Sequence, residues 1–394
     1  MKFLRDILDK QKPLFEKGGK LEKLYYLFEA GETFMFSPDH TAGTKGVQVR
    51  DAIDLKRMMI TVVVAMLPCL AFGIWNVGYQ HSLATGLEMA TIDQILIGLQ
   101  VVLPVVLVAY AAGGLVEAAF AVVRRHPINE GFLVTGMLVP LVMPPTIPLW
   151  QVALATIFAV IIAKEAFGGT GMNVLNVALT ARAFLYFAYP TDISGEVWTY
   201  LGGQPTADGY SGATALALGA ATTTGESSGQ LIGQFNQAGL SFFDMMMGYI
   251  PGSIGETSTI MCLIGALILV ATGVGSWKII VSVFAGAYFM GFVFNLIGAN
   301  EFMAMPPHYH WVIGGLAFGA VFMATDPVTA AQTEQGKWVY GFLIGVITVI
   351  IRIFNPAYPE GIMLAILFMN VFAPLIDYNV VNANKKRRLK RATV

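Results

Sequence analysis

Apolar runs long enough to cross a lipid bilayer recur along most of this sequence, and no other feature constrains its fold as strongly. A helix that crosses about 30 Å of hydrocarbon needs roughly 20 mostly apolar residues. Hydrophobic residues make up 56% of the 394 residues and charged residues only 12%, whereas soluble globular domains carry about 25% charged residues. The sequence therefore predicts an all-α polytopic membrane protein.

Hydropathy predicts about ten spans. They cover residues 58–77, 95–123, 131–143, 149–163, 176–189, 259–274, 279–297, 312–324, 338–353 and 361–374. Lys and Arg in short loops mark the cytoplasmic side of a membrane protein. If the spans alternate, such residues fall on one side, at Lys56, Arg57, Arg124, Arg125, Lys164, Lys278, Lys337 and the tail from Lys385 to Arg391. Both termini are then predicted to be cytoplasmic, with the longest connection, 190–258, on the outer face.

Three regions are predicted along the chain. Residues 1–57 form a polar leader with apolar residues at helical spacing, which predicts two short amphipathic helices. Docking on the membrane face or on another protein of a complex, and ordinary solvated helices, are open alternatives for this leader. Residues 58–378 form the membrane domain, whose 190–258 connection is an exposed loop region with small helical pieces, and residues 379–394 form a basic cytoplasmic tail.

Charge and cysteine content exclude several classes of partner. The formal net charge of −1 provides no concentrated basic surface for nucleic acid. Cys69 and Cys262, the only two cysteines, are too few and too far apart in sequence for a metal or disulfide framework. We therefore predict no metal centre and no iron–sulfur cluster held wholly within this chain.

The predicted outer loop contains Asp208-Gly-Tyr-Ser-Gly-Ala-Thr214, followed by a helix-prone stretch. One interpretation is helix capping, in which Asp208 or Ser211 accepts hydrogen bonds from the first free amides of that helix. The other is a threonine hydroxyl, exposed among small residues such as Gly212, that becomes esterified to a flavin phosphate. Free amides at a helix start would stabilise the resulting anion. The local pattern leaves both interpretations open.

Several segments together resemble the NqrB/RnfD family, and most closely NqrB, a membrane subunit of the Na⁺-translocating NADH:quinone oxidoreductase. They are 49–57, 113–114, 129–132, 164–171, 208–214, 250–256, 324–328 and 355–361. In that family a flavin transferase attaches FMN through its phosphate at the Ser-Gly-Ala-Thr motif, so the resemblance implies Thr214 as the attachment residue. The paralogous RnfD protein of the Rnf electron-transport complex shares this motif. The long polar leader before Arg57 and the total length favour the NADH:quinone enzyme.

An interruption of the apolar pattern at Gly168-Gly-Thr-Gly-Met-Asn-Val-Leu-Asn176 separates two spans. Irregular backbone at membrane depth is tolerated where it lines a cavity or is buried in protein. The resemblance implies a noncovalent riboflavin in this subunit, and Asn173 and Asn176 are the residues we assign to it. A plain interhelical turn is the alternative. Val177 stands where relatives carry Pro, which weakens the local backbone argument without removing the amides.

Polar and small residues within the spans suggest further sites. Gly113 and Gly114 are typical of helix packing, while the resemblance links this pair with quinone binding. Glu117, one turn further on, is an ionisable group within a span and so a functional candidate. Asp326 precedes Pro327, which suits either the N-cap of a following helix or ion binding. The resemblance makes Glu117, Asp326 and Asp377 candidates for Na⁺ passage, since a hard cation prefers oxygen ligands.

These features together predict a subunit of a redox-driven Na⁺ pump in the bacterial inner membrane. Electrons from NADH, oxidised in another subunit because this chain has no dinucleotide fingerprint, would pass through FMN and riboflavin to ubiquinone. A non-redox channel or secondary transporter is the competing hypothesis. The broken spans, the intramembrane acids and an inverted repeat suggested by the similarity of 125–131 to 355–361 favour it, and it predicts no bound flavin.

Overall fold

The protein is described here from a computed structural model, which covers residues 2–16, 18–36, 46, 55–126, 128, 131–195, 197–224 and 230–392. These residues form sixteen α-helices and no strand. The helices are α1 (Lys2–Phe15), α2 (Tyr25–Met35), α3 (Leu55–Thr85), α4 (Thr91–Arg124), α5 (Gly131–Leu141), α6 (Leu149–Ala159), α7 (Val177–Ala188), α8 (Ala215–Thr224), α9 (Leu231–Gln237), α10 (Phe242–Met247), α11 (Thr259–Ala271), α12 (Trp277–Ile297), α13 (Tyr309–Val312), α14 (Leu316–Phe318), α15 (Glu334–Phe354) and α16 (Ile362–Ala392).

Six helices of the described chain are long and apolar enough to cross a membrane, which confirms the predicted all-α polytopic class. They are α3, α4, α6 with its extension to Phe167, α12, α15 and α16. Three of the other predicted spans form the shorter apolar helices α5, α7 and α11. The leader contains the two predicted helices, α1 and α2, joined by an ion pair between Lys12 and Glu32. The motif segments 49–54 and 129–130 lie outside the described residues.

The long helices pack closely because glycines remove side-chain bulk at their crossings. A Cβ atom on Gly286 of α12 would collide with the backbone oxygen of Phe342 on α15. A Cβ on Gly345 of α15 would in turn collide with the backbone oxygen of Val283. Small residues that let helix backbones approach are the usual packing device in membranes, where the hydrophobic effect does not drive helices together. This contact fixes α12 against α15.

Helix α5 is a half-helix that ends inside the protein. Its 11 residues extend for only about 16 Å. The carbonyl groups beyond its last turn are paired, because Leu141 O accepts from Gly255 N at 2.7 Å and Met143 O accepts from Ile254 N at 3.0 Å. The backbone before α11 therefore satisfies the free end of α5, as burial in an apolar surrounding requires.

The predicted span 312–324 is also broken rather than a straight helix. The chain turns at Gly314, whose φ is +62°, before α14 begins, and residues Gly319–Met323 continue as a π-helix. The guanidinium of Arg352 donates to the carbonyl groups of His310 and Ile313, both at 2.8 Å. A buried arginine thus satisfies backbone groups that this break leaves without helical partners.

The basic residues predicted to share one face gather at one end of the helix bundle. Arg124, at the end of α4, pairs with Glu165, which follows the extension of α6. Lys278, at the start of α12, pairs with Glu334 at the start of α15. Helix α16 runs without a break to Ala392, so the basic tail is a helical continuation of the last apolar segment.

Candidate functional site

The 190–258 connection folds against the opposite end of the bundle. Ala207 N donates to Ala84 O at the end of α3 at 2.7 Å, and His81 Nδ1 lies 2.8 Å from Tyr200 O. Leu216 of α8 is buried in the main core. The connection therefore contains the predicted small helical pieces, and part of it packs into the membrane domain.

Thr214 is the residue that caps α8. Its hydroxyl oxygen accepts a hydrogen bond from Ala217 N at 3.2 Å, which is the standard N-cap contact. Asp208 and Ser211 are exposed, and Ser211 Oγ accepts only from Ala213 N, at 3.5 Å. The alternative in which one of these two caps the helix is wrong, because the chain between them and α8 is not helical. The half-buried Thr214 hydroxyl thus lies at the start of α8, where backbone amides favour an anion.

A cavity of about 470 Å³ opens beside Thr214. Its walls come from α7, the start of α8, the chain before α11, the turn before α14 and the connection between α15 and α16. Trp198 and Tyr358 contribute aromatic surface and Arg182, Glu256 and Glu360 contribute charge. Pockets for small ligands and cofactors typically enclose about 300–1,000 Å³ and combine apolar walls with a few polar groups. This cavity fits that description.

The charged groups of this cavity form a buried network. Arg182 Nη1 donates to Val142 O, to Ser253 Oγ at 3.0 Å and to Glu256 Oε2 at 3.2 Å. The Arg182 guanidinium carbon also lies 5.8 Å from the centre of the Trp198 ring. Arg182 is 1% exposed and Glu256 5% exposed. Pairing of Arg182 with neighbours was expected, but its place in a cavity with Thr214 was missed, although two charged residues in apolar surroundings were the available signal.

A second, smaller cavity of about 100 Å³ lies at the basic end of the bundle. Asn173 and Asn176 both line it, as do Lys164 and Asp326. Asn176 Oδ1 accepts from Leu179 N at 3.1 Å and so caps α7. Asn173 Nδ2 donates to Leu175 O at 3.2 Å. The two asparagines therefore shape a turn and also face a cavity, and both interpretations of this interruption remain open.

Asp326 does not cap a helix as one of the two alternatives proposed. Its carboxylate accepts from Val328 N at 3.0 Å and from Thr329 Oγ1 at 3.1 Å. The next helix, α15, begins only at Glu334 and is capped by Thr333. Pro327 thus belongs to a turn, because the following residues do not continue into a helix.

Asp377 of α16 binds the start of α15. Its carboxylate accepts from Gln332 N at 2.7 Å, from Thr333 N at 2.9 Å and from Thr333 Oγ1 at 2.6 Å. These contacts satisfy backbone amides near the beginning of a helix, where a negative charge is favoured. In this arrangement the carboxylate joins two helices.

The remaining predicted residues lie together on α4. Gly113 faces the Phe132 ring of α5, and a Cβ atom there would collide with it, whereas a Cβ on Gly114 would lie 3.7 Å from the same ring. Glu117 is buried and forms an ion pair with Lys164. The Lys164 ammonium in turn lies 5.9 Å from the centre of the Phe132 ring. The structure therefore brings this group beside the second cavity, which Lys164 lines.

Helix α7 connects the two cavities. Ala178 lines the smaller cavity and Arg182 the larger one. Four helical residues rise by about 6 Å, so successive turns of one helix face a cavity at each end of the bundle.

Broken helices whose ends meet around buried charges are typical of membrane transport proteins, and comparison with known sequences makes this class specific. The chain belongs to the NQR2, RnfD, RnfE family, whose model matches residues 43–386. It is 48% identical to NqrB, a subunit of the Na⁺-translocating NADH-quinone reductase, of Stutzerimonas stutzeri, over 98% of this chain and 99% of that protein. It is 49% identical to the same subunit of Chromohalobacter salexigens, over 98% and 96% of the two chains. The resemblance predicted from the sequence motifs is thereby confirmed.

Proposed function

We propose that the chain is the flavin-carrying membrane subunit of a Na⁺-translocating NADH-quinone reductase, with FMN ester-linked through its phosphate to Thr214. One observation carries the proposal. Thr214 caps a helix and also lines a cavity of about 470 Å³, so a group attached to its hydroxyl has both a phosphate position and a ring position within reach. The name of the relatives supports the enzyme class.

The residues around Thr214 fit a flavin phosphodiester. Its side chain is half-buried, and exposed neighbours at Ser211 and Asp208 leave room for a flavin transferase to approach. The first amides of α8 would stabilise the phosphate charge. Trp198 and Tyr358 supply flat apolar surface for a ring. When bound, the flavin carries the electrons, and the protein supplies its position and its electrostatic surroundings.

A noncovalent riboflavin at Asn173 and Asn176 is a further part of the proposal. Both side chains line the smaller cavity with Lys164 and Asp326, which supports a polar ligand there. Its volume of about 100 Å³ is below the typical range of about 300–1,000 Å³ for ligand pockets. A ring could enter only if the surrounding helices separate or if the site is completed by groups outside the described residues.

Na⁺ and ubiquinone sites complete the proposed activity. Of the three acids Glu117, Asp326 and Asp377, Asp326 is the one that lines either of the two cavities described above, and it is therefore the strongest candidate for contact with Na⁺. Gly113 and Gly114 remain the candidates for ubiquinone. Other subunits of the complex would oxidise NADH. We place the chain in a bacterial inner membrane with both termini in the cytoplasm and Thr214 on the outer face.

The attachment is tested by expressing the full chain with a flavin transferase and examining denaturing gels under ultraviolet light. We expect a fluorescent band for the wild type and no band for Thr214→Ala. Thr222→Ala is the matched control, because Thr222 lies on the same helix and its hydroxyl donates only to Gly219 O at 2.7 Å. A band that persists in Thr214→Ala would contradict the assignment, and absence of any band in the wild type would favour a non-redox transporter.

The type of complex needs a separate measurement. Subunits that copurify with the chain, together with quinone reduction that depends on Na⁺ and NADH, would support the proposed reductase. Copurification with Rnf-type partners and no NADH-quinone activity would instead assign the chain to the paralogous complex.

A further inference from the structure

Two side-chain atoms of the larger cavity keep unused hydrogen-bonding capacity. Among the described residues, five buried side-chain nitrogen or oxygen atoms have no hydrogen-bond partner, and Arg182 Nε and Glu256 Oε1 are two of them. Buried polar groups in native proteins are nearly always paired, so each exception needs an explanation. Here both exceptions belong to one ion pair whose two side chains line the same cavity as Thr214.

The position of this pair is determined by its other contacts. Arg182 Nη1 is anchored by Ser253 Oγ at 3.0 Å as well as by Glu256 Oε2. The Glu256 carboxylate lies against Gly315, where a Cβ atom would come within 2.9 Å of Oε2 and 3.0 Å of Oε1. A glycine at 315 therefore makes room for the carboxylate, and the pair presents its remaining donor and acceptor from a rigid arrangement.

A donor beside an acceptor matches a particular chemical group. The guanidinium Nε–H can only donate, and an ionised carboxylate oxygen can only accept. An imide, in which a ring carbonyl stands next to a ring N–H, presents the complementary acceptor and donor along one edge. The pyrimidine ring of a flavin has this edge.

We propose that Arg182 and Glu256 bind the imide edge of the ring that occupies the larger cavity, with Arg182 Nε donating to a ring carbonyl and Glu256 Oε1 accepting from the ring N–H. This inference rests on the proposed function, in which the ring is that of the flavin on Thr214. Arg182 and Glu256 are then positioning residues that fix the orientation of the ring and adjust its midpoint potential.

The two charges have opposite effects on the midpoint potential. Reduction by two electrons with uptake of one proton leaves a negative charge on the pyrimidine side of the ring. The Arg182 guanidinium stabilises that charge and the Glu256 carboxylate opposes it, and both effects are strong in a site of low dielectric constant. Removing the positive charge should therefore lower the midpoint potential, and removing the negative charge should raise it.

The experiment is a reductive titration of the purified full chain carrying its flavin, followed by visible absorption. Dithionite, which is oxidised to sulfite, supplies the two electrons, and water supplies the proton. For Arg182→Gln we expect at least a tenfold loss in relative affinity for the reduced ring, which is about 30 mV for a two-electron couple. Glu256→Gln should shift the potential in the opposite direction, and Arg182→Lys should restore most of the loss.

Arg352→Lys is the matched control, because Arg352 is equally buried but its guanidinium donates to backbone carbonyls of His310, Ile313 and Glu360. It should leave the potential unchanged. If Arg182→Gln does not fold, Glu256→Gln alone decides, since it keeps the shape of the side chain. Attached flavin with an unchanged potential in Glu256→Gln would overturn this inference and leave the proposed function intact, whereas a wild type without flavin would overturn both.

Discussion

At the scale of single residues, buried charges in this chain are placed where backbone or opposite charges meet them. Arg352 donates to three backbone carbonyl groups, and Lys164 pairs with Glu117 inside the bundle. Removing one member of such a pair leaves an uncompensated charge in an apolar surrounding, which is far more costly than losing an exposed pair. Among the predicted acids, Asp377 offers the clearest test of this principle.

We expect Asp377→Ala to destabilise the protein. The variant removes three hydrogen bonds that hold α16 to the start of α15. Hydrogen bonds to a charged group contribute about 1.5–3 kcal/mol when buried, and partial exposure of Asp377 puts the expected loss at about 1–2 kcal/mol. Thermal unfolding of the purified chain in detergent would measure it as a lower Tm.

Glu334→Ala is the control for this variant, since Glu334 lies at the same helix start but forms exposed ion pairs with Lys278 and Lys337. Exposed pairs contribute little to stability, so its Tm should remain near that of the wild type. An unchanged Tm in Asp377→Ala, combined with a loss of Na⁺ dependence, would show that the carboxylate serves ion passage and not the helix contact.

At the scale of elements, glycines and broken helices determine how the segments approach one another. Gly113 allows the Phe132 ring of α5 to lie against α4, and a Cβ there would also come within 3.0 Å of the Thr156 methyl group on α6. Gly114, on the next position, faces ordinary van der Waals distances. Adjacent glycines thus have different structural importance.

We expect Gly113→Ala to lower the Tm, because the added methyl group would collide with the Phe132 ring, whereas Gly114→Ala should change it little. Overpacking of this kind typically costs about 1–3 kcal/mol. The double variant Gly113→Ala with Phe132→Leu should recover part of the loss, since it removes the colliding ring. Quinone affinity measured on the stable Gly114→Ala variant would then report on ligand binding without a packing defect.

At the scale of the whole molecule, the two cavities lie at opposite ends of the bundle, and the basic residues gather at the end that holds the smaller one. The larger cavity is formed where α8 and α11 begin, and the smaller one where α3 and α5 begin. Because Lys and Arg are retained on the cytoplasmic side, this arrangement orients the molecule and places Thr214 outside.

Single cysteines can test that orientation in spheroplasts with a membrane-impermeant maleimide. The native Cys69 and Cys262 are 2% and 0% exposed and should not react. We expect Asp208→Cys, in the exposed segment before α8, to be labelled in intact spheroplasts. Asn384→Cys, in the exposed tail of α16, should be labelled only after lysis. The reverse pattern would place the proposed flavin in the cytoplasm.

The sequence by itself determined the class of fold, the approximate positions of the apolar helices and the family. Hydropathy adds up over neighbouring residues, so a span or a charged tail can be recognised without knowledge of its contacts. The same holds for the interruption before α7, which the structure retains. Thr214 was found through the motif that carries the family resemblance, because a short motif needs no tertiary information to be recognised.

Only the tertiary structure decided which groups meet. Arg182 and Glu256 are 74 residues apart, and no local pattern could indicate that they pair beside Thr214. The cap of α8, the turn after Asp326 and the contact of Asp377 with α15 likewise depend on backbone conformation. Segments distant in sequence lie together because half-helices end within the bundle, where each free backbone group and each charge must find a partner away from water.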